Sequence, residues 1–438
     1  MKHLPLLCAA LALASCSSLW KDGKPAKLQG VRIDVTGVAT TLAPTPGAEL
    51  EEFRIPEPRN TVNWSQAGGN SMHYPQHVAL PEKVVRAWTH DIGSGDGKGA
   101  AIMHSPVING GRLFAVDTDA RVTALDAKTG KELWRISLPF KEKEQAKLSG
   151  GLAVSGNLLF ITTAGGEVFA LTADGGKKVW NIDLAVPLRA APTVQGEKLF
   201  VMSHDNRTFA LSALDGSLQW THSGMDEGLN VLAASAPAAA NGALITPYSS
   251  GELYVLRATD GRYIWHDALT SAFMGVDPDS TPTGIAAPPV VADGLIYAAG
   301  LNGGLSAYAL TNGQRFWKAD VQTSQMPWVA GYQIFVVTEK GEMAAINRRD
   351  GAIRWVKSLN DDLPKPTAKR LWVGPLLAGG RLIAASSDGL AVSLEPETGK
   401  RLAATDLDVR TTLPPIVADG ALYFLSDDGK VVCFRAAE

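Results

Sequence analysis

The chain has 438 residues, of which 45% are hydrophobic and 19% charged, and its formal net charge at pH 7 is −3. This composition is typical of a folded, β-rich protein, and it lacks the basic excess that binding to a nucleic-acid backbone requires. Because no apolar run after residue 20 is long enough to cross a bilayer, we expect no membrane-spanning helix.

The N-terminus has the composition of an export signal, with a short basic start followed by an apolar run from Leu4 to Ala14. The residues Leu13-Ala14-Ser15-Cys16 resemble the lipobox of bacterial lipoproteins, which implies cleavage before Cys16 and acylation of this cysteine. The alternative is an ordinary signal peptide with an unrelated cysteine. By the same resemblance, Ser17 is compatible with sorting to the outer membrane. We therefore expect a mature chain that is anchored there by lipid and faces the periplasm.

We divide the chain into a signal peptide at residues 1–15, a lipidated cysteine with a tether at 16–62, and a folded body at 63–438. The tether is rich in Gly, Pro, Thr and Glu. This composition favours an extended or mobile link between the anchor and the body.

A sequence repeat organises the body. The segment from Ala124 to Trp134 carries a glycine at position 130, and the pattern recurs so that seven copies keep the glycine and six keep the tryptophan. Successive positions of this tryptophan, starting from Trp88, are 38 to 52 residues apart. A period near 45 residues predicts a propeller or a solenoid. Each repeat contains four short apolar strands separated by tight turns, which is the plan of one propeller blade.

The recurring tryptophans are expected to be structural, because a large flat indole can lie against a neighbouring blade. They are Trp134, Trp180, Trp220, Trp265, Trp317 and Trp355. The seventh copy has Ala403 in place of the indole.

The two ends of the body complete each other. Residues 415–434 supply three strands, and residues 82–92 supply a lone strand with the tryptophan pattern. Pairing them would close the ring and remove the open sheet edges that a linear array exposes. The sequence therefore predicts an all-β, eight-bladed propeller with four-stranded antiparallel blades, closed by an N-terminal strand in the last blade.

The repeat copies resemble the tryptophan-docking motif of the pyrroloquinoline-quinone-type propeller repeats, which occur in quinoprotein dehydrogenases and in non-enzymatic relatives. Combined with the lipobox, the tether and eight blades, they resemble the BamB family of lipoproteins, accessory factors of the outer-membrane β-barrel assembly machine. The resemblance covers residues 1–16 and about 63–438. It implies a non-enzymatic scaffold that binds a POTRA domain of the barrel-inserting subunit BamA and aids insertion of outer-membrane proteins, with unfolded outer-membrane proteins as further candidate partners.

The same resemblance implies a docking site. The family binds its partner through a loop with an apolar-x-Leu-Arg patch, and Val186, Leu188 and Arg189 match it in the connection after Trp180. An acidic pair in a later loop corresponds to Asp277 and Asp279, although their distance from the following strand departs from the family pattern.

The lengths of the turns and connections independently favour the same face of the ring. In an up-and-down blade, the turns between the first and second and between the third and fourth strands share one face, and the blade-to-blade connections lie on the other. The connections are the long segments of this sequence, and loops on a rigid scaffold carry binding. An arginine beside an apolar residue is typical of an interface hot spot. The alternative is that Leu188 closes the end of the core while Arg189 is solvated.

Two other classes of protein use the same ring. A quinoprotein dehydrogenase is one alternative, but the chain has no adjacent cysteine pair. A periplasmic propeller that binds carbohydrate or peptide is the other. No nucleophile elbow, Walker loop or glycine-rich dinucleotide turn follows a strand.

Metal and cysteine chemistry find little support in the sequence. The pairs Asp117/Asp119 and Asp427/Asp428 lie in hairpin turns, where aspartate commonly bonds its own backbone. His73 and His77 have metal-like spacing, but they lack a nearby cysteine or carboxylate. Cys433 lies in an apolar strand, so we expect a buried residue and no disulfide. We therefore predict no catalytic, cofactor-binding or metal-binding residues.

Overall fold

Eight four-stranded antiparallel sheets form a closed ring of blades. The computed structural model describes residues 42–97, 100–139, 150–188, 190–225, 235–269, 284–301, 303–364 and 369–437. All the strands belong to one compact unit that begins at Leu42. The predicted all-β, eight-bladed propeller is therefore confirmed.

In each blade, four strands follow one another from the ring axis outward, and we call these positions a to d. Strands are numbered along the chain, and β1 is Val84–Asp91. Blade 1 contains β2 to β5, which are Val107–Asn109, Arg112–Val116, Arg121–Asp126 and Glu132–Ser137. Blade 2 contains β6 to β9, which are Leu152–Ser155, Leu158–Thr162, Glu167–Thr172 and Lys178–Asp183. Blade 3 contains β10 to β13, which are Thr193–Gln195, Lys198–Met202, Arg207–Ser212 and Leu218–Ser223. Blade 4 contains β14 to β17, which are Ala238–Ala240, Ala243–Pro247, Glu252–Arg257 and Tyr263–Ala268.

The remaining blades repeat this plan. Blade 5 contains β18 to β21, which are Val290–Ala292, Leu295–Gly300, Gly304–Ala309 and Arg315–Ala319. Blade 6 contains β22 to β25, which are Trp328–Ala330, Gln333–Val337, Glu342–Asn347 and Ile353–Ser358. Blade 7 contains β26 to β29, which are Trp372–Ala378, Arg381–Ser386, Leu390–Leu394 and Arg401–Asp406. Blade 8 contains β30 to β32, which are Ile416–Ala418, Ala421–Leu425 and Lys430–Ala436, together with β1 at position d. A 3-10 helix, Ala48–Leu50, precedes the first strand.

Blade 8 joins the two ends of the body as the sequence predicts. β1 pairs antiparallel with β32, with Val84 opposite Ala436 and Asp91 opposite Lys430. The last blade is thus completed by a strand from the other end, which removes the edge that an open array would leave. Cys433 on β32 is fully buried opposite Trp88.

Neighbouring blades are held together by one repeated contact. The ring of each motif tryptophan lies over the motif glycine of the following blade, so that a Cβ added to Gly216 would lie 2.7 Å from Cε3 of Trp180. The seven motif glycines have φ between +65° and +79°, a region that side chains other than glycine rarely adopt. Each indole Nε1 also donates a hydrogen bond of 2.9–3.2 Å to a backbone carbonyl at that turn. The glycine therefore provides both the turn and the flat surface that receives the indole.

The topology of blade 8 explains why Ala403 replaces the seventh tryptophan. The receiving glycine lies in the turn between strands c and d, and in blade 8 these two strands are not consecutive in the chain. An indole at position 403 would therefore have no such turn to cover. Arg86 of β1 instead crosses this junction and donates to the backbone carbonyl of Leu407.

The ring has two distinct faces. The turn face carries the a–b and c–d turns, such as Gly110-Gly111 in blade 1. The connection face carries the b–c turns and the blade-to-blade connections, including the segment between Ser137 and Leu152. The described ends of the long connections lie on the connection face.

Residues 61–79, which we call the axial segment, bind in turn to the inner part of all eight blades. The contacts are mostly backbone hydrogen bonds of 2.7–3.2 Å to Ile108, Val154, Val194, Ala239, Val291, Trp328, Leu377 and Asp419. Gln66 is buried and uses both its amide oxygen and nitrogen on the backbone of Val194. The axial segment therefore supplies partners to inner strands that have a neighbour on one side only.

Residues 42–60, which we call the strap, lie against blade 6 in their first part and then pair with the axial segment, where Arg59 N donates to His77 O at 2.9 Å. Thr45 N donates to the carbonyl of Ile353 at 2.8 Å, and Tyr332 N donates to the carbonyl of Arg54 at 2.9 Å. The structure here differs from the extended or mobile link that the composition favours, because backbone groups of the strap are paired with the ring.

The indole–glycine contact is tested by three single variants. Trp180→Ala is expected to lower the free energy of unfolding by about 3–5 kcal/mol, because it removes a buried indole and its hydrogen bond. Gly216→Ala is expected to cost roughly 1–3 kcal/mol, since the new methyl group meets that indole. Gly196→Ala is the control, because Gly196 shares the positive φ but has open space around its Cβ.

Chemical denaturation of the purified variants measures these differences. If Gly216→Ala costs no more than Gly196→Ala, the close contact with Trp180 does not hold the two blades together.

Candidate protein-docking site

The loop from residue 184 to residue 192 leaves β9 of blade 2 and enters β10 of blade 3 on the connection face. Its start is a tight bend, because Ala185 has φ +56° and its backbone N donates to Oδ1 of Asp183 at 2.8 Å. Further along, Leu188 forms an isolated antiparallel bridge with Ser203, and His204 N donates to the carbonyl of Pro187 at 2.9 Å. The loop is therefore fastened to blade 3 by its backbone.

The two apolar residues of the predicted patch face the interior. Val186 is 6% exposed and Leu188 is 0% exposed. Both belong to the apolar cluster between blades 2 and 3, which also contains Trp180 and Phe209. Ala185 and Pro187 are exposed instead. Leu188 therefore fixes the position of the loop, and Pro187 beside it is accessible to a partner.

Arg189, Asp277 and Asp279 lie outside the described residues. The segment that carries the two aspartates leaves blade 4 after Leu269, whose backbone N donates to Gly251 O at 2.9 Å. The described chain resumes at Gly284, whose carbonyl accepts from Leu301 N at 3.1 Å. The structure thus places the ends of this connection on the connection face, two blade junctions away from the loop with Leu188.

A cavity of about 260 Å³ lies at the ring axis. Residues that precede or begin the inner strands line it, and the axial segment contributes Trp64 and Gln66. Other lining residues include Pro106, Met326 and Leu413. Among these lining residues, all of which the structure describes, none is Asp, Glu, Lys or Arg. A quinone that carries carboxylates, with its calcium ion, would find neither cationic partners nor carboxylate ligands here, so the cavity does not fit that cofactor.

The histidine pair with metal-like spacing binds backbone atoms. His73 Nδ1 lies 2.8 Å from Pro289 O, and His77 Nδ1 lies 2.7 Å from Pro56 O. His77 Nε2 accepts from Gly380 N at 2.8 Å. These rings therefore join the axial segment to blades 5 and 7. Across the described ranges, no group of three or more His, Cys, Asp or Glu residues is arranged to hold a metal ion.

The aspartates of the hairpin turns also have partners within the protein. Asp117 accepts from the Arg121 side chain at 2.8 Å, and Ser94 N donates to it at 2.9 Å. Asp427 accepts from the backbone N and the hydroxyl of Thr412. These carboxylates stabilise turns and connections of the ring.

The Cys433 thiol of the body is unreactive near neutral pH. Burial raises the pKa of the Cys433 thiol to about 11, with the nearby Arg435 and Tyr423 acting against that rise. A thiol with this pKa is protonated near neutral pH and is a poor nucleophile. The proposed lipidation site, Cys16, lies outside the described residues. No helix among the described residues is long and apolar enough to cross a membrane.

Sequence reasoning missed the axial segment. The signal was present in the tryptophans outside the repeat pattern, because Trp64 and Trp328 stack with ring centroids 6.3 Å apart. One of them precedes the ring and the other begins an inner strand, so the pair joins the axial segment to blade 6.

The comparisons with known proteins agree on a family. A family model described as outer membrane protein assembly factor BamB matches residues 81–144 and 139–357. An outer membrane protein assembly factor BamB from Alkalilimnicola ehrlichii is 31% identical over 353 residues, which cover 80% of this chain and 88% of that relative.

Solved structures share the fold. The crystal structure of BamB from Moraxella catarrhalis has a TM-score of 0.66 at 19% identity and covers 81% of this chain and 98% of its own. A quinohemoprotein alcohol dehydrogenase from Pseudomonas putida has a TM-score of 0.67 at 13% identity, over 86% of this chain and 81% of its own. At these identities, both likenesses show the propeller alone.

The buried His73 makes the stability of the ring depend on pH. Burial lowers the pKa of His73 from 6.5 to about 4, and the Pro289 carbonyl partly opposes this shift. The unfolded chain therefore binds the proton more tightly than the folded chain. The free energy of unfolding is unaffected above pH 6.5 and is expected to fall by up to about 3 kcal/mol as the pH drops from 6.5 to 4.

Unfolding curves at pH 7 and pH 4.5 measure this effect. His73→Gln should show a smaller loss over this interval than the wild type, while His266→Gln, at an exposed position on blade 4, should keep the full loss. Equal losses in wild type and His73→Gln would show that this ring is not the group that titrates.

Proposed function

The chain belongs to the BamB family of outer membrane protein assembly factors, and from this membership we propose how it binds and how it is anchored. As a member of that family it is a non-enzymatic assembly factor that works with the β-barrel assembly complex. We infer that its direct partner is a POTRA domain of BamA, and that the connection between blades 2 and 3 is the contact. The observation that supports this contact is the fastening of that connection by Leu188, which directly precedes Arg189 in the chain.

The burial of Leu188 defines how the loop would work. A buried anchor in the core keeps the loop in one conformation, and pre-ordered loops lose less entropy when a partner binds. The partner would contact Pro187 and Arg189, with the segment of Asp277 and Asp279 as a second contact. Val186 and Leu188 would act through the shape of the loop rather than through the interface.

The proposed contact predicts different results for the two matched residues. Arg189→Ala is expected to abolish co-purification with the assembly complex without changing stability, because it removes the charged group proposed to bind the partner and leaves Leu188 in the core. Leu188→Ala is expected to reduce co-purification and also to lower the free energy of unfolding by about 2–5 kcal/mol, because it empties a fully buried site. The measurements are pull-down from detergent-solubilised membranes and thermal unfolding.

Arg410→Ala is the control, because Arg410 is an exposed arginine in the connection between blades 7 and 8. It should keep full co-purification. If Arg189→Ala co-purifies as well as Arg410→Ala, the loop between blades 2 and 3 is not the docking site. A photo-reactive residue at position 187, which is exposed, should capture BamA in cells.

The proposed anchor is a separate claim. Cleavage before Cys16 and acylation of that residue would hold the protein on the periplasmic face of the outer membrane. Cys16→Ser should abolish incorporation of labelled palmitate and release the protein into the soluble periplasmic fraction. Labelling of the Cys16→Ser chain would refute acylation at this position. Direct binding of unfolded outer-membrane proteins stays a prediction.

A further inference from the structure

The strap is bound to blade 6 by a dense set of contacts. At its start, Thr45 pairs with the outermost strand of the blade, since Ile353 N donates to Thr45 Oγ1 at 3.0 Å and Thr45 N donates to Ile353 O at 2.8 Å. Arg354 donates from Nη1 to Glu51 O at 2.7 Å, and its guanidinium lies 5.3 Å from the ring centre of Phe53. The strap therefore covers part of the outer edge of blade 6, including the strand on which Arg354 lies.

The strap then crosses the turn face of the same blade. The side chain of Asn347, beside the c–d turn, donates to the Glu51 carboxylate. In the a–b turn, Tyr332 N donates to the carbonyl of Arg54. The guanidinium carbon of Arg349 lies over the Tyr332 ring, 4.4 Å from its centre. Ile55 and Phe53 pack against the apolar core. From there the chain continues into the axial segment.

The strap and the proposed docking loop lie at opposite places on the ring. Blade 6 is four blades away from blade 2 in a closed ring of eight, so the two are diametrically opposed. The strap lies on the outer edge and the turn face, whereas the loop with Leu188 lies on the connection face. Leu42, where the described chain begins, packs against the same apolar cluster as Ile353. The chain from the N-terminus therefore meets the ring at the rim that is farthest from the loop.

We propose that the strap fixes the membrane attachment of the ring at the rim of blade 6, so that the propeller is a rigid spacer between its lipid anchor and its partner. This inference rests on the proposed function, because it needs an anchor at Cys16 and docking at the loop between blades 2 and 3. The exposed half of the ring around the loop is then directed away from the attachment point.

The strap also shortens the leash, by which we mean the chain between Cys16 and its first hydrogen bond to the ring. Among the described residues, the first backbone hydrogen bond to the ring is at Thr45, 29 positions after Cys16 (45 − 16), whereas without the strap it would be at Thr61, 45 positions after Cys16 (61 − 16). At about 3.4 Å per extended residue, the maximum reach is about 100 Å with the strap and about 150 Å without it. Releasing the strap would also move the attachment point from the rim to the axis of the ring.

Two variants release the strap from different sides. Thr45→Pro removes the donor and the hydroxyl acceptor on the strap and leaves the ring unchanged. Arg354→Ala removes the guanidinium on blade 6. In the full-length protein, trypsin cleavage at Arg54 and Arg59 should become about tenfold faster or more in both variants. Thr45→Pro removes two neutral hydrogen bonds and Arg354→Ala removes one from a charged group, and either loss is worth about that factor in an opening equilibrium. Arg315→Ala, on the outer strand of blade 5, is the control and should leave the cleavage rate unchanged. Unchanged cleavage in both release variants would overturn the strap contact itself.

Assembly in cells then separates the attachment point from the leash length. In a strain that lacks the natural protein, Thr45→Pro should reduce the level of folded outer-membrane proteins although it co-purifies with the assembly complex in detergent as well as wild type. Removing 16 residues from positions 20–40 of this variant restores the original leash length. Assembly should stay reduced in the shortened variant, because the attachment point is still at the axis.

Three other outcomes would contradict the proposed role of the propeller as a spacer. Full assembly by Thr45→Pro would show that the attachment point does not matter, and rescue by the shortened leash would show that length alone matters. Loss of co-purification in detergent would make the strap part of the docking site. Failure of the proposed function is detected separately, since Arg189→Ala would then keep its co-purification whatever the strap variants do.

Discussion

The structure depends on one contact, an indole from the outer strand of one blade lying on a glycine turn of the next. A four-stranded blade has two apolar faces and cannot bury them alone, so every blade must pack between two others. The indole covers part of that junction, and its Nε1 fixes the register by binding a carbonyl of the turn. A glycine is required because a Cβ at Gly216 would lie 2.7 Å from the ring of Trp180. Seven such contacts make the ring stiff, and a stiff ring can hold a loop such as that of Leu188 in one position.

A second set of contacts also holds the blades together, and it begins at the axis of the ring. Strands at the inner edge have unpaired N–H groups, and six of the eight are preceded directly by proline, which has no N–H to leave unpaired. The axial segment accepts hydrogen bonds from other N–H groups near the axis. Gln66 accepts from Val194 N of blade 3, and His77 accepts from Gly380 N of blade 7. The strap extends this attachment to the rim at blade 6. A single N-terminal segment thus joins the centre, the turn face and the outer edge.

The sequence was sufficient to predict the ring, but it was insufficient to predict the segments and the loop conformation that pack on the ring. The repeat of Gly130 and Trp134 is local, and its period and the lone strand around Trp88 were enough to predict eight blades and their closure. The strap and the axial segment were not predicted, because Thr45 and Arg54 bind through backbone groups, and such contacts leave no apolar periodicity in the sequence. The burial of Leu188 was left open for a similar reason, since a loop residue packs inward or outward according to distant neighbours such as Phe209. The same ring also occurs in a dehydrogenase, so the fold alone could not select the function.

An electron-microscopy map of the assembly complex that contains this protein in a lipid bilayer tests the account most directly. We expect the partner to contact the connection face at blades 2 and 3. We also expect residues 42–60 to stay bound to the ring, with blade 6 as the rim at which the chain leaves toward the membrane. A map in which the partner sits on the turn face or on blade 6, or in which residues 42–60 are detached from the ring, would contradict it.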